Sequence, residues 1–321
     1  MSRNPRLCAQ TLLALGLLLL LFGCVGPTGP ETQRRDTVSI GTFSRAIDYA
    51  PYIVAKNQGW FEEVSSKYGK TVEYTEFQSL PAINEALATK NLDVVFEAEP
   101  PAIIGYAAGV DVRIKGVGVS LVQEVVVPKE SGIRSVSDLH GKKVAVLSGS
   151  SSHYGVVKMI EQSGLSLADV ELLDMNPPNA KAAFESGQID AWAVWPPWIE
   201  QEVVEGRGVT LSGGDVFIQS IVAMRGAFVQ ENPGLARDLL GVVRRAQSWI
   251  ADNPEQAQSI IAGELGLPLE VVREAWPKHD FQPALGQREL DDIQAKADFL
   301  FDAGLIKNRV QVADLIDVDL Q

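Results

Sequence analysis

Three short stretches carry residue types that could bind a small molecule. In the first, Gly149 is followed by Ser150, Ser151, Ser152 and His153, directly after the apolar run Val144 to Leu147 and at the start of a helical pattern. Free backbone N–H groups at a helix start, with the helix dipole behind them, form an anion site, and the three hydroxyls would add donors. The same serines would equally suit an ordinary N-cap, where Ser is favoured for backbone reasons alone. His153 either donates to the anion or packs. The second stretch, Phe96-Glu97-Ala98-Glu99-Pro100-Pro101, reads as a loop with two carboxylates. Residues two apart in an extended segment point the same way. Aimed at a cleft, Glu97 and Glu99 would repel a bare anion and attract an ammonium or guanidinium group; otherwise both face solvent or bond loop amides. The third, Asp190 to Trp198, holds half of the chain's six tryptophans. Trp192 and Val194 share a strand face, with Trp195 at its end. One indole is expected to meet a ligand, because a Trp face suits a methylene chain or a cation, and the others to be core. Phe43, Ser44 and Arg45 follow the first apolar run. Arg45 would pair an anion bidentately or stay solvated.

Short apolar runs that alternate with helical patterns must position these stretches, and that alternation is the signature of parallel sheets covered by helices. Strands are expected at Thr37 to Thr42, Val72 to Phe77, Leu92 to Phe96, Val144 to Leu147, Val170 to Asp174, Asp190 to Val194 and Ile218 to Met224, with two extended runs within Val112 to Val127. Helices are expected at Pro51 to Tyr68, Pro81 to Lys90, Pro101 to Ala108, Ser152 to Gly164, Ala180 to Ser186 and Pro197 to Glu205, with a short turn at Val136 to Leu139. Four more helical runs follow, at Pro233 to Asn253, Pro254 to Gly263, Pro268 to Trp276 and Gln287 to Ala303. In open parallel sheets, ligands bind outside the carboxyl ends of strands, where all three stretches fall.

The N-terminus carries a separate signal. Arg3 and Arg6 precede a Leu-rich run that closes on Leu21-Phe22-Gly23-Cys24, the layout of a secretory signal with a small residue before the cleavage site. The apolar stretch is shorter than the ~20 residues a bilayer core requires. Residues 1–23 therefore read as a lipoprotein signal peptide, Cys24 as the lipidated anchor, and residues 24–36 as a tether without apolar periodicity. Cys8 leaves with the signal, so the exported chain is expected to hold no disulfide and no free thiol for metal binding or attack. From Thr37 onward the chain is longer than one core usually organises, which favours two lobes.

The formal charge is −13. Residues 1–23 hold two arginines and no acid, so the remainder is more acidic still. Nucleic-acid binding needs a basic stripe, and no Lys/Arg run here exceeds two residues. No Ser-His-Asp spacing, phosphate loop or metal-ligand cluster stands out.

Several stretches resemble the periplasmic solute-binding proteins of ABC importers for sulfonates, taurine and related compounds. They are Tyr49 to Phe61, Ala86 to Val94, Val126 to Lys129, Asp138 to Val146, Gly149 to Tyr154, Pro177-Pro178 and Gly187 to Trp195. The resemblance covers nearly all of the chain after the tether. It implies an α/β type II periplasmic binding protein fold, with two α/β lobes, a hinge and a ligand cleft. Lobe one would span 37–122 together with 221–321, and lobe two 123–220, with hinge crossings near Val122 and Ser220. The ligand would be a small anion or zwitterion, its negative end on Gly149 to His153 and its body against Trp192, Trp195 and the Glu97/Glu99 loop. Members of this kind place small or hydroxyl residues before the proline, so Glu97 and Glu99 are a departure. Taurine-type members would place an acidic partner for the ammonium near the returning strand, where this chain has Gln219-Ser220, which argues against taurine itself.

The resemblance implies a binding protein that captures its ligand by cleft closure. Its expected partners are that small molecule, an ABC permease with its ATPase, and the membrane through a lipid anchor. It would act as a monomer in the periplasm or at the cell membrane, without cofactor, metal or nucleic acid. A binder of a cationic or nitrogenous small molecule on the same fold is the alternative. An enzyme is the competing class, since the fold also serves a pyrimidine synthase of thiamine biosynthesis; that activity relies on a cysteine-rich motif, which this chain lacks. A lipoprotein sensor is the third class.

Overall fold

The computed structural model describes residues 36–43 and 46–317; Cys24, the signal, most of the tether, Ser44 and Arg45 lie outside them. The first half alternates as the apolar pattern dictates: β1 (Thr37–Phe43), α1 (Ala50–Asn57), α2 (Trp60–Ser66), β2 (Thr71–Phe77), α3 (Leu80–Ala88), β3 (Val94–Ala98), α4 (Glu99–Ala107) and β4 (Val112–Pro128). The second set is β5 (Lys143–Val146), α5 (Ser151–Gln162), β6 (Glu171–Asp174), α6 (Pro177–Glu185), β7 (Ala191–Ala193), α7 (Trp198–Val204) and β8 (Gly208–Arg225). Then come α8 (Gly226–Glu231), α9 (Pro233–Asp252), α10 (Pro254–Leu265), α11 (Leu269–Ala275), β9 (His279–Asp280), α12 (Gln287–Asp302) and α13 (Val312–Leu315). Among the described residues, no helix is long and apolar enough to cross a membrane.

Several expectations change in detail. The helix expected over 51–68 is two helices, because Gly59 adopts a left-handed φ of 70° that ends the first and starts the second. The two extended runs within 112–127 are one strand, kept continuous by register shifts between Ile114 and Gly116, Val117 and Val119, and Val122 and Glu124. The strand expected over 218–224 is the far end of β8, which begins at Gly208. Ser212-Gly213-Gly214-Asp215 lie within that strand. The loop expected over 96–101 is absent: β3 runs straight into α4.

The strands form one mixed sheet in the order β2-β1-β3-β8-β4-β7-β5-β6, with β9 paired to β4. β1 pairs parallel with β2 and β3, and β5 pairs parallel with β6 and β7. The antiparallel pair β4 and β8 joins these parallel groups: β3 pairs with residues 220–224 of β8, and β7 with residues 125 and 126 of β4. The expected hinge positions, Val122 and Ser220, thus fall inside the two longest strands.

Alternation along the short strands explains the packing. Val144, Val146, Ala191 and Ala193 share one buried cluster with Val156, Met159 and Ile160 of α5. Ala145 and Trp192, of opposite parity, join Ala180, Ala183 and Phe184 of α6 in the larger cluster. In α9 the buried residues Leu235, Leu239, Val242, Val243, Ala246 and Ile250 recur at helical spacing and form one apolar face. A buried ion pair, Arg225 to Asp93 at 2.6 Å, ties the end of β8 to the start of β3.

Candidate functional site

Two cavities open at the carboxyl ends of the parallel strands. The inner one, about 20 Å³, is lined by Phe43 at the end of β1, Asp48 and Tyr49 in the turn before α1, and Leu80 of α3. Ala98 and Pro101 at the β3–α4 junction, Ser150 and Ser151 at the start of α5, and Trp195 complete its wall. That volume is about enough for one water. The outer cavity, about 960 Å³, shares Phe43, Leu80 and Pro101 with it and reaches the residues following β2, β5 and β6.

Local rules place the α5 wall. Gly149 has a φ of 74°, which a side chain would strain, and a Cβ there would also meet Ile104 at 3.2 Å. The chain can then turn so that Ser150 caps α5: its Oγ accepts from His153 N–H at 3.2 Å and donates to the Leu147 carbonyl at 2.7 Å. Ser150 is therefore the ordinary N-cap. Ser151, one residue on, lines the inner cavity, and its hydroxyl and backbone N–H have no hydrogen-bond partner among the described residues. Trp195 packs on Phe43 with ring centroids 5.8 Å apart, and its buried Nε1 donor is also unpartnered. Tyr49 is held well above its ordinary pKa, first by burial and then by the charges of Asp48, Glu97 and Glu99, so it remains a neutral phenol. Asp48 Oδ1 lies 3.2 Å from His279 Nε2 on β9.

Of the residues expected at the site, Phe43, Ser150, Ser151 and Trp195 meet at the inner cavity. Glu97, Glu99, Ser152, His153, Trp192, Gln219 and Ser220 line neither cavity, and Ser44 and Arg45 lie outside the described residues. Glu97 is fully buried on β3, neither oxygen has a partner among the described residues, and burial pushes its carboxyl up to about 8. Ala98, the next residue, lines the cavity, so strand alternation turns Glu97 to the opposite face. Glu99 is also fully buried, at the start of α4, and its Oε1 accepts from Lys296 Nζ of α12 at 2.6 Å. Burial raises the Glu99 carboxyl against the pull of Lys296. Burial alone would lower Lys296, but Glu99 and Asp292 outweigh it and hold the ammonium protonated. The two carboxylates thus face neither solvent nor a common opening, because β3 gives way to helix between them.

His153 packs edge-on against Phe299 of α12 with centroids 5.1 Å apart, and its Nδ1 accepts from Gly149 N–H at 3.3 Å. Burial lowers its pKa, which favours the neutral ring. Ser152 is fully buried with an unpartnered hydroxyl. Trp192 is fully buried between Phe184 and Trp198, a core residue. Gln219 is buried with its Oε1 unpartnered, while Ser220 donates to the Asp48 carbonyl at 2.7 Å and so supports the cavity floor from behind. Asp48, Tyr49 and Leu80 were not anticipated as wall residues. The signal for the first two was available, since they open the helix that follows the first strand, the same placement that singled out Ser151.

The family model described as "NMT1-like family" matches residues 31–263. A Bacillus subtilis (strain 168) protein named as a candidate aliphatic sulfonates-binding protein is 31% identical over 316 residues, 94% of this chain and 92% of the relative. The crystal structure of the periplasmic aliphatic sulphonate binding protein from Escherichia coli superposes with a TM-score of 0.76 at 25% identity, covering 88% of this chain and 92% of that one. The alkanesulfonate-binding protein from Xanthomonas axonopodis pv. citri, bound to MOPS, gives a TM-score of 0.76 at 27% identity over 88% and 98% of the two chains. These relatives are named as binding proteins, and their fold is the expected periplasmic binding protein architecture. On the span of the family match and this near full-length similarity, the chain belongs to the NMT1-like family.

Proposed function

We propose that this protein captures a sulfonate for an ABC importer, acting as a binder and not as an enzyme. The observation that carries this reading is the inner cavity, whose wall residues offer donors without a partner among the described residues: the Ser151 hydroxyl, the first N–H groups of α5 and the Trp195 indole. Such donors at a helix N-terminus suit a multi-oxygen anion. The names of the relatives support the ligand class. Residues 37–122 with 221–321 would form one lobe and 123–220 the other, and β4 and β8 would flex where the register slips between Val122 and Glu124. Closure would then trap the ligand, as hinge motions do. The protein would be exported, anchored by a lipid on Cys24, and read by a permease and its ATPase. Mass spectrometry of the native protein tests the anchor: an unmodified cysteine with Met1 attached would refute it.

Thermal-shift and calorimetric titration with alkanesulfonates and matched carboxylates test the ligand class. A sulfonate at about 100 times its Kd should stabilise by about 2.7 kcal/mol, with the carboxylate weaker. If no sulfonate stabilises the protein, the assignment is wrong. Solution scattering should show a smaller radius of gyration on saturation, and an unchanged radius would remove the closing clamp.

A further inference from the structure

We infer that the ligand is elongated: a single anionic head engages the inner cavity, and a bulky, largely apolar body without a second negative charge fills the outer one. This rests on the sulfonate reading above. The inner cavity has room for about one water, so it can take one head-group oxygen and no more. The rest of the ligand must lie beyond Phe43, Leu80 and Pro101, which the two cavities share. There the outer cavity, about 960 Å³, matches the upper end of pockets that enclose drug-sized molecules. Its wall includes Pro81, Ile104, Leu147, Pro177, Pro178 and Trp198. A two-carbon sulfonate would leave most of that apolar wall in water, whereas a ring or long chain would cover it.

Charge narrows the class further. The inner wall has one carboxylate, Asp48, whose Oδ1 lies 3.2 Å from His279 Nε2, whereas the outer wall carries two, Glu76 at the end of β2 and Asp174 at the end of β6, and among the described residues neither cavity is lined by a Lys, Arg or His. Glu76 accepts only from the Gln78 side chain at 3.0 Å, and Asp174 from Ser148 N–H at 2.8 Å; neither has an ion-pair partner among the described residues. A body ending in a second anion would meet these carboxylates, whereas a neutral or protonated amine would not be repelled.

Calorimetry on the protein with four probes tests the inference: ethanesulfonate, 2-cyclohexylethanesulfonate, 2-(cyclohexylamino)ethanesulfonate and benzene-1,4-disulfonate. Both cyclohexyl compounds should bind at least about ten-fold more tightly than ethanesulfonate, and the disulfonate at least about ten-fold more weakly than either. The Glu76→Gln, Asp174→Asn double variant should narrow the gap between the disulfonate and the cyclohexyl compounds. Ile104→Trp, which intrudes on the outer cavity, should weaken the cyclohexyl compounds more than ethanesulfonate. Ethanesulfonate binding as tightly as the cyclohexyl compounds, or a disulfonate equal to them, would overturn the elongated ligand while leaving the sulfonate reading intact. If no sulfonate in the series binds, the sulfonate reading itself fails and this inference with it.

Discussion

Ala98 and the glutamates on either side of it are three consecutive residues, yet they serve opposite regions of the molecule. Ala98 forms part of a cavity whose remaining wall exposes donors without partners. Glu97 and Glu99 are sealed away from both cavities, one uncharged by burial and the other clamped to Lys296. The cavity side is left unsatisfied where a ligand could complete it, whereas the carboxylates behind it depend on the protein alone. Proximity in sequence to a binding wall is therefore a poor guide to contact with the ligand; the face of the strand decides.

The largest effect should come from breaking the sealed side. Lys296→Met leaves Glu99 buried without its cation and should cost about 3–5 kcal/mol of stability, read by denaturant unfolding. Glu99→Gln should likewise lower stability more than affinity, and a variant of native stability that no longer binds would return Glu99 to the cleft.

Glu97 sharpens the contrast through pH. Its folded-state pKa of about 8 lies above the unfolded value of 4.5, so the folded protein holds a proton that the unfolded chain has released. Its contribution is fully present below about pH 4.5 and is lost as pH rises to about 8, amounting to a few kcal/mol. Glu97→Gln should flatten this slope in unfolding experiments run from pH 5 to 8.5. A slope identical to wild type would mean that the carboxyl is not sealed.

On the cavity side, Trp195→Phe keeps the packing against Phe43 and removes the indole donor. Sulfonate affinity should fall by the ~1.5–3 kcal/mol of a hydrogen bond to a charged group, with little change in melting temperature. The smallest and most diagnostic pair is adjacent. Ser150→Ala should cost about 1 kcal/mol of stability as a lost N-cap, whereas Ser151→Ala should lower affinity by a similar amount and leave stability unchanged. The reverse pattern would exchange their roles.

The element order and the α5 wall of the inner cavity were legible in the sequence because they rest on local rules. Apolar spacing marks α9, and a strand followed by Gly149 and a run of serines marks the start of α5. What was not legible depended on partners distant in the chain. The full length of β8 is held by pairing with β4, so only its far end, residues 218–224, was expected. Whether Glu99 met a ligand or a lysine was decided by Lys296, 197 residues away. Of the tryptophans, Trp192 sits within the three-residue strand β7 in the core, whereas Trp195, two residues past its end, reaches the cavity wall.

The placement of β8 between β3 and β4 also constrains the order in which the chain can fold. Until residues 218–225 exist, β3 and β4 each present an open edge where their neighbour belongs, and the sheet cannot be completed from its first half alone. The segments from β1 to β3 and from β5 to β7 can each pair their own strands locally, so both can organise first. The junction of β3 with β4 must wait for β8, more than a hundred residues downstream of β3. Contacts of that span slow folding, so the joining of the two parallel groups should be the slow step in forming the sheet.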